Sequence, residues 1–293
     1  MSAPPPGGLR DKLVLLGVCS DANSSFLRGA AEAPPLIRAT LHNGSSNLTS
    51  ETGFCFAANP RFADLGDVSF AGDAGAFAAI ETQVAAIADE GGLPLILGGD
   101  HAITYPIVRA LARQHGPLDI LHFDAHPDLY DELDGNRLSH ACPFARIMEE
   151  GLAQRLVQVG IRTLNAPQRA QAAHFGVEVH EMRSFDVAAF EPDLTAPAYV
   201  SFDMDALDPA FAPGVSHFEP GGLSVRDVIT VIHRLSVRVV GADIVEYNPR
   251  HDLHGMTAMV AAKLVKEIGG VMLRNMGAPQ DVGAAGLGVD VTP

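Results

Sequence analysis

Basic side chains are scarce in this 293-residue chain, and their scarcity excludes several kinds of partner. Twenty lysines and arginines stand against 35 aspartates and glutamates, which gives a formal net charge of -15 at pH 7. A surface of that sign repels nucleic acid and anionic membranes, so neither is an expected partner. The charge is compatible with a small cationic substrate.

Cysteines and long apolar runs are also in short supply. Cys19, Cys55 and Cys142 show no paired spacing, and an odd number fits a reducing compartment better than a disulfide framework. The N-terminus lacks the apolar segment of a secretory signal, and no run approaches the length that spans a bilayer. We therefore expect a cytoplasmic protein.

Short apolar runs alternate with amphipathic helical patterns along most of the chain. The runs are rich in β-branched residues, which is typical of parallel strands buried on both faces; they cover 12–18, 93–99, 118–124, 155–161, 177–181, 198–205 and 237–246. The helical patterns cover about 76–90, 104–115, 141–151, 167–175, 224–235 and 256–270. Ser224, with Asp227 three positions later, has the pattern of a helix N-cap. This alternation predicts a three-layer α/β/α fold around a mostly parallel sheet of about eight strands.

No linker-like segment divides this pattern. We expect one catalytic domain over residues 1–274, with a loop-rich segment at 33–62. The tail at 275–293 is rich in glycine, proline and alanine, a composition that predicts disorder.

Acidic residues and histidines cluster at the carboxyl ends of four predicted strands, where parallel sheets bind their ligands. They are Asp100 and His101, then Asp124, His126 and Asp128, then Asp203, Asp205 and Asp208, then Asp243 and Glu246. Alternate residues of an extended chain share a side, so the members of each cluster can converge. By contrast, His122, His174, His180 and His233 are interpreted as surface or core histidines.

Such a concentration of charge needs a compensating cation, because buried unpaired charges are strongly unfavourable. Four aspartates and two histidines are more than one structural zinc site requires, and the thiolates such a site prefers are missing. Mixed carboxylate and imidazole ligands suit two divalent ions instead. Two Mn2+ ions are the first choice, and Ni2+, Co2+ or Fe2+ remain possible. The candidate ligands are His101, Asp124, His126, Asp128, Asp203 and Asp205.

Taken together, "GGDHAITYP", "HFDAHPDLYD", "SFDMDALDPAFAPG" and "EYNP" resemble the ureohydrolase family of arginases and agmatinases, from about Asn23 to Glu267. "GNRLSHACPFARIMEEG" and "HGMTAMVAAKLV" are similar to plant-type arginases, although His254 stands where an acid is expected. The resemblance implies an arginase-like fold and a homotrimer or homohexamer. It also implies one metal held by His101, Asp124, Asp128 and Asp203, and a second held by Asp124, His126, Asp203 and Asp205, with Asp124 and Asp203 bridging.

The same resemblance makes His140 a catalytic proton shuttle and Glu246 the carboxylate that pairs with a substrate guanidinium. A guanidinium carbon is a poor electrophile, so a hydroxide that bridges the two metals is the expected nucleophile. Glu246 would hold the planar cation by paired hydrogen bonds, and His140, titrating near neutrality, would protonate the leaving amine. Asp205 is a candidate to receive the proton from the hydroxide.

The substrate is less closely defined than the reaction. The loop "DELDGNRLSH" supplies Asn136, Arg137 and Ser139 as candidates to bind the α-carboxylate of arginine, and Arg137 pointing into solvent is the alternative. We expect hydrolysis of arginine to urea and ornithine. The alternatives are agmatine hydrolysis to putrescine and urea, hydrolysis of another guanidino compound, formiminoglutamate hydrolysis, a single-zinc deacetylase, and an inactive partner subunit.

Overall fold

The computed structural model describes residues 8–276 apart from Ala196, and its strands form one parallel sheet. The eight strands lie in the order β2-β1-β3-β8-β7-β4-β5-β6, and every pairing is parallel. Their bounds are β1 Leu13–Gly17, β2 Phe62–Asp67, β3 Leu93–Leu97, β4 Leu118–Phe123, β5 Ala153–Ile161, β6 Glu178–Glu181, β7 Ala198–Asp203 and β8 Val239–Val245.

Helices cover both faces of the sheet. They are α1 Ala33–Leu41, α2 Ala76–Asp89, α3 Thr104–His115, α4 Pro143–Glu149, α5 Ala166–Phe175, α6 Val225–Arg234 and α7 Met256–Arg274. Leu13 of β1 packs into a core with α1, α6 and α7, whereas Val14 packs into a second core with α2 to α5. Because successive strand residues point to opposite faces, one buried strand supplies both cores. The predicted three-layer α/β/α fold is confirmed.

The N-cap predicted for α6 is confirmed, whereas α7 is longer than predicted. The capping box at α6 is present: Ser224 Oγ accepts from Asp227 N at 3.1 Å, and Asp227 Oδ2 accepts from Ser224 N at 3.0 Å. Helix α7 continues four residues beyond its predicted end. Its glycines fit close packing there, because a Cβ at Gly269 would lie 2.5 Å from Leu13 Cδ2.

The expectation of a loop-rich segment at 33–62 is wrong for its two ends. Helix α1 begins with Pro34 and Pro35 in its first turn, where a missing N–H leaves no intrahelical bond unmade. Strand β2 is a half-buried edge strand with the sequence FADLGD, which has neither a continuous apolar run nor β-branched residues. Strand β2 therefore lacks the continuous apolar run on which the strand prediction relied, whereas the buried residues Ala33, Ile37 and Leu41 of α1 do recur at helical spacing.

The predicted disordered tail lies outside the described residues from position 277 onward. Asn275, its first residue, is held to the body of the protein, since its Nδ2 donates to the carbonyls of Leu235 and Val237 at 3.0 and 2.7 Å. Between residues 8 and 276 no helix has the length and apolarity of a membrane span.

Candidate metal centre and active site

Four adjacent strands bring most residues of the predicted clusters to one edge of the sheet. Asp243 lies inside β8 instead, and Asp208 accepts from backbone N–H groups of its own loop. Strands β3, β8, β7 and β4 are neighbours in that order, so their carboxyl ends lie side by side. The residues that meet there are Asp100, His101, Asp124, His126, Asp128, Asp203, Asp205 and Glu246. The topology therefore places on one edge what the sequence holds in four separate segments.

The first cluster centres on Nδ1 of His101. This atom lies 3.0 Å from Oδ2 of Asp128 and 3.2 Å from the Oδ2 atoms of Asp124 and Asp203. All four residues are buried, and within the described part of the chain Nδ1 has no hydrogen-bond partner. Three carboxylate oxygens thus lie within 3.2 Å of one imidazole nitrogen, and donors of these two kinds suit a divalent cation.

The hydrogen bonds behind His101 decide which of its ring nitrogens carries the proton. Ser201 Oγ donates to Asp243 Oδ1 at 2.8 Å, and it lies 3.0 Å from Nε2 of His101. Since the single hydroxyl proton is used on Asp243, Ser201 can only accept from Nε2–H. Nε2 therefore carries a proton, which leaves Nδ1 as the nitrogen of His101 that would bind a metal ion.

The second cluster shares Asp124 with the first. Nδ1 of His126 lies 3.1 Å from Oδ2 of Asp205 and 3.3 Å from Oδ1 of Asp124. The two oxygens of Asp124 thus face different clusters, which is the arrangement of a bridging carboxylate. Asp203 is placed differently, because its Oδ1 accepts from the backbone N–H of Asp205 at 2.8 Å. Bridging by Asp203 stays a prediction.

Crowding of the carboxylates has an electrostatic consequence. Burial, followed by the charges of Asp205 and Asp124, raises the pKa of Asp203 well above its ordinary range. Burial also raises the pKa of Asp205, against the lowering effect of His126. A bound cation is the group that makes such a set of ionised carboxylates favourable. The donor atoms, the tautomer of His101 fixed by Ser201 and the mutual repulsion of the carboxylates all fit two divalent ions.

Two of the acidic side chains stand on strained backbone. Asp128 has φ 50° and Glu246 has φ 62°, a left-handed conformation that residues other than glycine adopt only rarely. Such strain costs about 1–3 kcal/mol per residue and persists where the surrounding structure enforces it. Here Asp128 O accepts from Phe144 N and Glu246 N donates to Gly99 O. The strain coincides with the candidate site.

A cavity of about 300 Å³ opens beside the two clusters. Its wall contains part of the proposed metal site, the two candidate catalytic side chains His140 and Glu246, and a rim of neutral polar groups. The lining residues are Ser25, His126, Asp128, Tyr130, Leu133, His140, Ala141, Thr163, Asn165, Gln168, Asp203, Asp205, His217 and Glu246. A small organic molecule can therefore reach the carboxylates.

His140 and Glu246 form a buried pair at the cavity wall. Nδ1 of His140 lies 2.8 Å from Oε1 of Glu246, and Nε2 lies 2.8 Å from Ser25 Oγ. Burial alone would lower the pKa of His140, but the charge of Glu246 and the hydrogen bond to it raise that pKa to about 9. The pair lowers the pKa of Glu246 in turn, against the effect of burial. His140 is thus protonated at neutral pH, rather than titrating there as the sequence suggested.

The three side chains expected to contact the substrate tail do not line the cavity. Arg137 is exposed and held by Asp131 and Glu149, the latter at 3.0 Å. Asn136 Oδ1 accepts from Leu138 N at 2.9 Å, and Ser139 Oγ accepts from Ala141 N at 3.4 Å. Ion pairs with Asp131 and Glu149 hold Arg137 on the outer side of the loop, and backbone hydrogen bonds hold Asn136 and Ser139 within it.

A different set of polar groups takes their place at the cavity rim. Tyr130 follows the Asp128 motif directly, while Thr163 and Asn165 follow the carboxyl end of β5, the strand beside β4. Asn165 donates to the hydroxyl of Tyr130. The strand-end rule applied to "VGIRTLN" would have found two of these residues. His217, from the segment "SHFEPGG", lies across the cavity with its ring 5.5 Å from those of His126 and His140.

His122, which was interpreted as a surface or core histidine, is buried and directly contacts a candidate metal ligand. Its side chain is fully buried, and its Nε2 lies 2.9 Å from Oδ2 of Asp124. His174, His180 and His233 lie away from the two clusters, and His233 contacts Glu267 at 2.7 Å.

Comparison with known proteins gives consistent matches over most of the chain. The model of the Arginase family matches residues 11–270. "Arginase 1, mitochondrial" of Arabidopsis thaliana is 50% identical over 278 residues, which are 89% of this chain and 81% of that protein. "Arginase 2, chloroplastic/mitochondrial" of the same plant is 48% identical over 282 residues, 91% of this chain and 82% of that protein. The structure of the arginase from Medicago truncatula has a TM-score of 0.85 at 45% identity and covers 91% of this chain and 88% of its own.

The names of these relatives contradict the expectation of a cytoplasmic protein. Both Arabidopsis relatives are described as mitochondrial or chloroplastic, which points to an organelle. The expectation rested on the lack of an apolar signal and on unpaired cysteines. Organellar targeting segments are amphipathic rather than apolar, so the first observation does not discriminate against an organelle.

Proposed function

This chain belongs to the arginase family, and we propose that it hydrolyses the guanidino group of arginine to give urea and ornithine. The family generally has a binuclear metal centre and acts on guanidino substrates. The observation that carries the proposal is the joint presence of two metal-ligand clusters and the His140–Glu246 pair around one cavity. About 50% identity to a plant arginase supports arginine as the substrate.

The proposed ions are two Mn2+ per chain. His101, Asp124, Asp128 and Asp203 would hold one, and Asp124, His126, Asp203 and Asp205 would hold the other. Hard oxygen donors mixed with imidazole suit manganese. When bound, such a pair of ions lowers the pKa of water and so supplies a nucleophile at neutral pH.

Glu246 is the proposed binding group for the guanidinium. Its Oε1 already accepts from His101 N at 3.0 Å and contacts His140, whereas Oε2 accepts no hydrogen bond from the described residues and belongs to the cavity wall. A buried carboxylate with a lowered pKa stays ionised and can pair with a planar cation. Holding the cation there orients its central carbon toward the ligand clusters, and proximity then lowers the barrier.

His140 is the proposed general acid. At neutral pH it carries a proton because its pKa is about 9, and Ser25 and Glu246 orient its ring from both sides. It can donate that proton to the amine that leaves as the tetrahedral intermediate collapses. Asp205, which lines the same cavity, is the proposed acceptor of the proton lost by the attacking water.

The rim residues are the proposed binding groups for the amino-acid end of arginine. The hydroxyl of Tyr130 and the amide nitrogens of Asn165 and Gln168 can donate to an α-carboxylate. The hydroxyl of Thr163 donates to Ala125 O at 2.9 Å and can accept from an α-amine. Agmatine has no carboxylate to use the donors. When agmatine binds, the donors of the site that would bind the carboxylate have no partner, so agmatine is disfavoured relative to arginine.

The test is urea release from the manganese-loaded protein with arginine, agmatine and a series of other guanidino compounds. The proposal expects urea from arginine at a kcat/KM well above that for agmatine. A preference for agmatine, or no urea from arginine with two metals bound, would contradict it. We also propose a homotrimer or homohexamer, which light scattering of the purified protein would test.

A further inference from the structure

A row of buried polar side chains crosses the sheet just below the metal-ligand clusters. At one register level Gln158 of β5 stands beside His122 of β4, His122 beside Ser201 of β7, and Ser201 beside Asp243 of β8. All four residues have 0% exposure. Polar groups at this depth destabilise the fold unless they are hydrogen-bonded, so their contacts are informative. Ser201 and Asp243 orient His101, and the other two residues form a second unit.

The carbonyl of Pro127 fixes the orientation of the Gln158 amide. The atom of Gln158 that lies 2.7 Å from Pro127 O must be the nitrogen, because a carbonyl oxygen only accepts. The same nitrogen lies 3.0 Å from Nδ1 of His122. Its two hydrogens serve these two acceptors, so Nδ1 of His122 carries a lone pair.

The proton of a neutral His122 is consequently on Nε2, and it points at Asp124. The distance from Nε2 to Asp124 Oδ2 is 2.9 Å, and the other oxygen of Asp124 accepts from His126 N at 2.6 Å. Both oxygens of the proposed bridging carboxylate are thus held by a donor of the protein. A protonated Nε2 has no lone pair for a metal, so His122 is not itself a ligand, although it lies close to His101 and Asp124.

Besides contacting His122, Gln158 binds the loop 126–128, which carries two further candidate ligands. By binding Pro127 O it holds the peptide between His126 and Asp128. Asp128 is the residue with φ 50°, and a conformation of that kind needs support from its surroundings. One buried amide therefore restrains both the bridging carboxylate, through His122, and the loop that carries its neighbours.

We propose that His122 and Gln158 are positioning residues that set the orientation of Asp124 and thereby the affinity of the metal centre. The inference rests on the binuclear centre of the proposed function. Hydrogen bonds behind metal ligands typically change metal affinity by about 10–100-fold when they are removed. We expect a change of that size here.

A matched pair of variants separates the hydrogen bond from the packing. His122→Gln can place an amide nitrogen near the position of Nε2 and keep a donor, whereas His122→Met has similar length and no donor. His233→Met is the control, because it removes a histidine–carboxylate contact of 2.7 Å to Glu267 away from the clusters. Each protein is stripped with a chelator and titrated with Mn2+ alone by calorimetry, and the thermal unfolding of the metal-free form is recorded separately.

The proposal expects His122→Met to bind Mn2+ about 10–100-fold more weakly, with His122→Gln and His233→Met close to the parent protein. Unchanged affinity in His122→Met would overturn it, because the imidazole would then only fill space. Equal losses in the Met and Gln variants would also overturn it, because a donor at that position would not be the property that matters.

If His122→Met does not fold, Gln158→Met gives the decisive measurement. It leaves His122 in place but removes the donor that fixes its tautomer, so weaker Mn2+ binding is expected and unchanged binding would overturn the proposal. These readouts need no substrate. Failure to produce urea from arginine, with normal metal binding in the parent protein, would therefore contradict the proposed function and leave this inference standing.

Discussion

Replacing Glu246 by glutamine tests the proposed binding of the guanidinium most selectively. The variant keeps the shape of the side chain and an oxygen that can accept from His101 N, but it removes a buried negative charge. Glu246 is not a proposed metal ligand, so metal content should stay at the parent value. The change is thereby confined to the substrate and to His140.

The expected loss of kcat/KM follows from the burial of Glu246, which would form a buried ion pair with the guanidinium of the substrate. Glu246 is 4% exposed, and removing one partner of a buried ion pair costs about 3–5 kcal/mol. At about 1.4 kcal/mol per factor of ten, kcat/KM for arginine should fall roughly 140- to 3,700-fold. The pKa of His140 should also fall from about 9, because the charge of Glu246 is the largest influence that raises it.

Steady-state urea release, measured with metal content on the same samples, is the assay. A control is Glu32→Gln, which removes a charge from an exposed ion pair with Arg250 and should leave kcat/KM unchanged. A loss in Glu246→Gln of less than tenfold, with the metals in place, would refute the assignment of this residue to the guanidinium.

The other predictions concern the general acid, the metal and the substrate tail. If His140 is the general acid, kcat/KM should fall as the pH rises through its pKa of about 9; a pH profile of His140→Asn that keeps this alkaline limb would contradict the assignment. Mn2+ at about 100 times its Kd should stabilise the parent protein by about 2.7 kcal/mol per site and raise its Tm by several degrees. Calorimetric scans should show a smaller rise for Asp128→Asn, and an equal one would count against that ligand. Asn165→Ala should raise KM for arginine, whereas Arg137→Ala should leave KM within about twofold, since Arg137 is occupied on the outer surface; kinetics with the opposite ranking would restore the original expectation for Arg137.

Much of the fold could be predicted because its central strands are buried on both faces. Such strands read as continuous apolar runs, and the runs at 93–99, 118–124 and 198–205 contain β3, β4 and β7. Edge strand β2 has no such run, and helix α1 has Pro34 and Pro35 in its first turn. Their formation depends on contacts with β1 and α7 that are distant in sequence.

The position of the site was predictable for a related reason. Parallel strands end at the same edge of a sheet, so charged residues that follow several strands are expected at one edge. The strand order itself could not be read from the chain, because β7 and β8 insert between β3 and β4. That insertion puts Asp203 against His101 and Glu246 against His140.

Side-chain orientation in loops was the least predictable feature. Arg137, Asn136 and Ser139 lie close in sequence to His140, yet only His140 faces the cavity. Ion pairs with Glu149 decide the direction of Arg137, and no local pattern encodes them. The contact of His122 with Asp124 could not be predicted for a different reason: a histidine inside an apolar run is uninformative until its cross-strand neighbour Gln158 is known.

The most direct test of the account is a crystal structure of the manganese-loaded protein, with anomalous diffraction recorded at the manganese edge. We expect two anomalous peaks per chain about 3.5–4 Å apart, with Asp124 between them and His101 and His126 on opposite sides. A single peak, or a pair that Asp124 does not bridge, would contradict the binuclear centre on which the proposed hydrolysis of arginine depends.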